Sequence, residues 1–132
     1  ATIRRGADKR LAAVDFRGSA IEASEGASQG HDLNGLSFAF AGIAETGTLA
    51  LLSGPANPTT LNFLPDNHIV LVQAADVVGD METVWARLRA ARPQELSRVV
   101  NLVTGPSRSA DIEQTLLLGA HGPRSLHVIL VG

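Results

Sequence analysis

The chain has 132 residues and no cysteine, a formal net charge of -2 and a 45% hydrophobic share. That is the size and composition of one globular domain around a single core. Mixed, near-neutral charge argues against nucleic acid or an anionic membrane surface as partner, and a chain without thiols offers no disulfide, no cysteine nucleophile and no ligands for an iron–sulfur cluster. Four Phe, one Trp and no Tyr leave little for a stacking platform. No apolar run reaches the ~18 residues of a spanning helix. Ala1 to Lys9 lacks an apolar signal segment, so the expected location is cytoplasmic.

Ala7 to Val14 reads as a short helix, Ser19 to Ala23 as a brief strand, and Ser24 to Leu33 as a polar connection. Leu36 to Ala44 and Gly47 to Leu52 flank a turn at Glu45-Thr46, with Phe38, Phe40, Leu49 and Leu51 alternating with smaller residues. This predicts a strand pair, with a small-residue helix over Leu36 to Ala41 as the alternative. Ser53 to Thr60, with Gly54, Pro55 and Pro58, reads as a loop. His68 to Gln73 is a β-branched and leucine run, as in a strand buried on both faces.

Asp80 to Ala91 carries Met81, Val84, Trp85 and Leu88 at helical spacing, and Pro93 stops it. Arg98 to Thr104 reads as a strand, Ser109 to Leu118 as a helix ended by Gly119, and Leu126 to Val131 as a closing strand. Strand, glycine turn, helix and strand make the repeating unit of a parallel sheet. The predicted class is therefore α/β, a mostly parallel sheet flanked by helices. Ligands of such sheets collect outside the carboxyl ends of the strands.

Gly105-Pro-Ser-Arg-Ser109 brings Ser107 and Arg108 to the start of a predicted helix, where unpaired amides and the helix dipole favour phosphate or carboxylate. The same residues also suit plain capping, with Arg108 paired to Asp111 or Glu113. Those two acids are two apart, on opposite sides of a helix, so they are not a catalytic pair with each other. His121, between Gly119 and Gly122, is a loop histidine and a candidate general acid or base, or a donor that fixes the turn.

A second constellation, Glu45-Thr46-Gly47-Thr48, crowds one carboxylate and two hydroxyls around a turn glycine. A hairpin needs the glycine but not the acid, which makes Glu45 a candidate base, nucleophile or ligand anchor. His31, His68 and His127 show no metal-ligand spacing, so no metal site is expected.

Four ordered blocks carry a resemblance: Phe40 to Leu51, Phe63 to Val70, Gly105 to Glu113 and Gly119 to Val128. Together they resemble the LUD-domain family, whose best-known branch is the lactate-utilisation protein C type. The resemblance implies a NagB/RpiA/CoA-transferase-like fold. Members are usually longer, so residues 1–132 are expected to form a single LUD-type domain lacking the family's helical N-terminal portion. It also implies a part in oxidising L-lactate to pyruvate beside iron–sulfur partner proteins, with clusters only in those partners and no cofactor in this chain.

Carried over as motif residues are Glu45, Thr46, Gly47, Gly105, Ser107, Arg108, Asp111, Glu113, His121 and Gly122; Thr48 joins them as a ligand-binding candidate. The expected occupant is a small anion or a partner, and self-association is left open. The rival reading is a CoA-transferase-like or sugar-phosphate enzyme that uses Glu45.

Overall fold

Among the described residues short strands dominate, and beside one ten-residue helix stand helices of only four residues, so nearly every element depends on its neighbours for shape. The computed structural model describes residues 2–28, 30, 32–54, 57–90, 100–105 and 122–132. In chain order these form β1 (Thr2–Arg5), α1 (Lys9–Ala12), β2 (Glu22–Glu25), β3 (Asn34–Phe38), β4 (Ala41–Ile43), β5 (Thr48–Leu52), α2 (Thr60–Phe63) and β6 (Asn67–Gln73). A 3-10 turn at Ala74–Asp76 follows, then β7 (Val77–Val78), α3 (Met81–Ala90), β8 (Val100–Val103) and β9 (Ser125–Val131).

Two sheets result. The first is wholly parallel, in the order β2-β1-β3-β6-β9; the second runs β7-β4-β5-β8, with β5 antiparallel to both neighbours. The architecture is α/β with a mostly parallel sheet arrangement. Three apolar layers hold it. Ile3, Leu11, Leu36 and Phe38 pack α1 against the parallel sheet, and Ala39, Leu49, Leu51, Val70 and Val72 join the two sheets. Ala41, Ile43, Ala50, Val84 and Leu88 then pack α3 on the outside of the second sheet.

Several expectations meet the structure directly. The strand pair around Glu45-Thr46 is the β4–β5 hairpin, and the closing strand is β9, in full register with β6 from Asn67↔Ser125 to Gln73↔Val131. The helix expected from Asp80 is α3, and Asp80 Oδ1 accepts from Thr83 N at 2.9 Å and from Thr83 Oγ1 at 2.7 Å. Those bonds hold the Asp80 carboxyl below its usual range. Val84 and Leu88 are buried as their spacing requires, whereas Trp85 stays 37% exposed.

Other elements differ. The run from Leu36 to Ala44 is not one strand, because Ala39 N donates to Leu71 O in the first sheet and Phe40 N to Ala50 O in the second. The brief strand expected at Ser19 to Ala23 forms later, as β2, where its register with Thr2–Arg5 places it. β8 and β9 also do not form one parallel unit. β8 pairs antiparallel with β5, and β9 pairs with β6 in the other sheet. A four-residue apolar strand carries period-2 alternation but no information about its partner. The helix expected at Ser109 to Leu118 lies outside the described residues.

Two buried positions fix how α2 sits on the parallel sheet. A Cβ on Gly35 would come within 2.9 Å of Pro65 Cγ and 3.1 Å of Leu61 O, so only glycine lets the segment approach this closely. Beneath it, His68 Nε2 lies 2.9 Å from Ser37 Oγ, which donates to Asn62 Oδ1 at 3.4 Å. With Ser37 donating onward, Nε2 carries the imidazole proton and Nδ1 is bare. His68 is fully buried, and burial pushes it down to about 4 from 6.5.

Gly35→Ala is expected to cost about 1–3 kcal/mol, read as a lower urea midpoint with unchanged slope. For His68 the sign follows from its depressed value. The folded state keeps the ring neutral, so its stability contribution is complete above pH 6.5 and is lost as pH falls to about 4. That loss amounts to about 3 kcal/mol. Urea midpoints for wild type and His68→Gln should therefore converge on acidification; parallel profiles would refute a buried neutral imidazole.

Candidate functional site

Gly47 is the pivot of the β4–β5 turn. Its φ of 67° lies in the left-handed region that other residues adopt at a cost, and its amide donates to Ile43 O at 2.9 Å. Ala44 N and Glu45 N are also engaged, with Val78 O and Gly79 O. The turn backbone is thereby tied to the segment leading into α3. What it leaves available is side chains.

Those side chains form a line of hydroxyls. Thr46 Oγ1 is 2.7 Å from Thr48 Oγ1, and Thr48 Oγ1 is 2.7 Å from Thr104 Oγ1. Three hydroxyl hydrogens serve two internal bonds, so one hydroxyl hydrogen is left over for a further partner. Thr48 is 5% exposed, while Thr46 and Thr104 lie at the surface. Thr46, Gly47, Thr48 and Gly105 are candidates on their sequence pattern, and Thr104 is not. Its only signal was the place directly before Gly105, at the end of a predicted strand.

The structure therefore brings the hairpin against the end of β8, directly before Gly105. Glu45 is exposed on the hairpin, and its carboxylate has no hydrogen bond among the described residues. Gly122 sits elsewhere, before the amino end of β9, where Arg124 N and Ser125 N donate to Asp66 O at 2.8 and 3.2 Å. That edge is braced by side chains: Asn34 Nδ2 donates to Thr2 O, Asn67 Nδ2 to Asn34 Oδ1, and Ser125 Oγ to Asn67 Oδ1. Ser107, Arg108, Asp111, Glu113 and His121 lie outside the described residues.

Beside the hydroxyl line runs an apolar groove of about 250 Å³ between the sheets. One wall is the hairpin, including Gly47 and Thr48; the other is Val72 with Leu126, Val128 and Leu130 of β9. Val128 and Leu130 are 49% and 65% exposed. The ensemble is a polar rim on an apolar trough, suited to a ligand or chain segment with one polar end. Among the described residues, no group of three His, Cys, Asp or Glu side chains could hold a metal ion.

Comparison with known proteins gives a consistent result. The LUD domain model matches residues 31–131. The chain is 36% identical over 99 residues to lactate utilization protein C of Halalkalibacterium halodurans, covering 73% of this chain and 43% of that protein. Against lactate utilization protein C of Anoxybacillus flavithermus the figures are 34% over 111 residues, 84% and 47%. The chain thus spans less than half the length of these curated relatives. In fold it resembles the crystal structure of a DUF162 family protein from Deinococcus radiodurans, with a TM-score of 0.61 at 24% identity, covering 98% of this chain and 74% of that one. With the family model matching residues 31–131 of the 132, this chain belongs to the LUD-domain family.

Proposed function

We propose that the protein serves L-lactate utilisation, as a non-redox member of a system that oxidises L-lactate to pyruvate. The observation that carries this reading is the 36% identity to a lactate utilization protein C over 73% of the chain. Removing two electrons from lactate requires an acceptor. On this reading the acceptor sits in iron–sulfur partner proteins, in keeping with a chain that has no cysteine thiolates to ligate a cluster.

The contribution of this chain is then binding. The Thr46–Thr48–Thr104 hydroxyl line, with Gly47 and Gly105 at its turns, offers a donor to a small anion or to a polar group of a partner. The adjoining groove takes the apolar remainder.

Deleting the full-length gene should abolish growth on L-lactate while sparing growth on pyruvate, and the intact gene should restore it. Growth on L-lactate after deletion would refute the reading. Thr46→Val combined with Thr104→Val removes both exposed hydroxyls at a stability cost of about 1 kcal/mol. That variant should fold, yet leave growth on L-lactate well below wild type. Full growth would show that the rim is not the contact surface.

A further inference from the structure

The parallel sheet opens a second time, at the carboxyl ends of its strands. The chain passes from β1 to β2 on one side, while the sheet continues through β3, β6 and β9 on the other, so the order reverses between β1 and β3. Open α/β sheets bind small molecules outside the carboxyl ends of their strands at such a reversal. A cavity of about 510 Å³ lies there, lined among the described residues by Arg10, Phe40, Asp76, Arg87 and Ala90. Arg10 comes from α1 after β1, Phe40 follows β3, and Asp76 follows β6; Arg87 and Ala90 belong to the last turn of α3. The volume falls in the ordinary range for small-molecule sites, about 300–1,000 Å³.

Both guanidinium groups are held in place. Arg10 Nε and Nη2 donate to the Asp8 carboxylate at 3.1 and 2.8 Å, and its Cζ lies 3.6 Å from the Phe38 ring centroid. Asp8 is itself occupied as the cap of α1, accepting from Arg10 N at 2.8 Å. Arg87 Nη1 donates to Asp76 Oδ1 at 3.3 Å and Nη2 to Ala75 O at 3.5 Å. A guanidinium has five donors, and these side-chain bonds occupy two on each. Two cations and one carboxylate line the cavity, with Phe40 and Ala90 as its apolar wall.

We infer that this cavity binds the oxyanion of a small organic molecule, a carboxylate or a phosphate ester, with Arg10 and Arg87 donating to it. A planar fork of N–H donors matches either group. The site is separate from the hydroxyl rim, and the inference stands whether or not growth on L-lactate needs this protein.

The test is a pair of amide NMR titrations of the 132-residue chain, one with pyruvate and one with inorganic phosphate, against sodium chloride at matched ionic strength. At least one titrant should shift the Arg10, Phe40, Asp76 and Arg87 signals saturably. A response to pyruvate alone identifies a carboxylate ligand, to phosphate alone a phosphate ester, and to both a general oxyanion site. Arg87→Gln removes a half-exposed ion pair of little stabilising value, so it should keep the melting temperature and weaken binding about tenfold. Arg10→Gln should weaken it similarly. Shifts no larger than those with chloride, or a Kd unchanged in both variants, would overturn the inference.

Discussion

One peptide unit joins the two sheets. Ala39 and Phe40 are consecutive, yet their amides donate into different sheets, to Leu71 O and Ala50 O at 2.8 and 2.9 Å. A chain that changes sheets in a single step brings the sheets together at that point, and only small side chains fit the corner. Ala39 and Ala41 are both fully buried, on opposite sides of the second sheet's join: Ala39 packs between the sheets, Ala41 against α3. Replacing either by a larger apolar residue would overpack the corner, since both side chains are fully buried. From this corner follow the β4–β5 hairpin, the groove beneath it and the position of Phe40 at the carboxyl-end cavity.

The sequence shows some of this plainly and hides the rest for physical reasons. α3, β6, β9 and the hairpin are legible because each carries a full period of apolar residues, helical or alternating. β1 is not, since Thr-Ile-Arg-Arg has one buried side chain, Ile3, and exists by pairing with strands on both sides. α2 has four residues, too few for periodicity, and its placement depends on the missing Cβ at Gly35. Neighbouring apolar runs also cannot say which sheet they join. The pairing of β8 with β5 rather than beside β9 is tertiary information.

The candidate site divides in the same way. Thr46, Gly47, Thr48 and Gly105 stand out because hydroxyls and glycines cluster at a turn. Thr104 does not, because its partner lies 56 residues away. Arg10 and Arg87 are harder still. Each reads locally as a surface cation, and only the convergence of connections after β1, β3 and β6 with the end of α3 makes them neighbours of one cavity.

The polar groups fall into two populations with opposite energetics. His68, Ser37 and Asn62 are buried in a chain of hydrogen bonds, where an ionised ring is strongly disfavoured, so the cluster is held uncharged inside the packing of α2 on the parallel sheet. The hydroxyl line and the two arginines lie at edges, where donors stay reachable by solutes and are oriented by neighbours. Their rigidity comes from different layers. The hydroxyls are fixed by β5 and β8 within one sheet, whereas Arg10 is clamped through α1 and Phe38 of the parallel sheet and Arg87 through the turn after β6. The span between the guanidiniums is consequently set by the packing of α1 and α3 on either side of the sheet corner. A change at Ala39 or Ala41, or a shift of the Ala74–Asp76 turn that holds Arg87, would alter it.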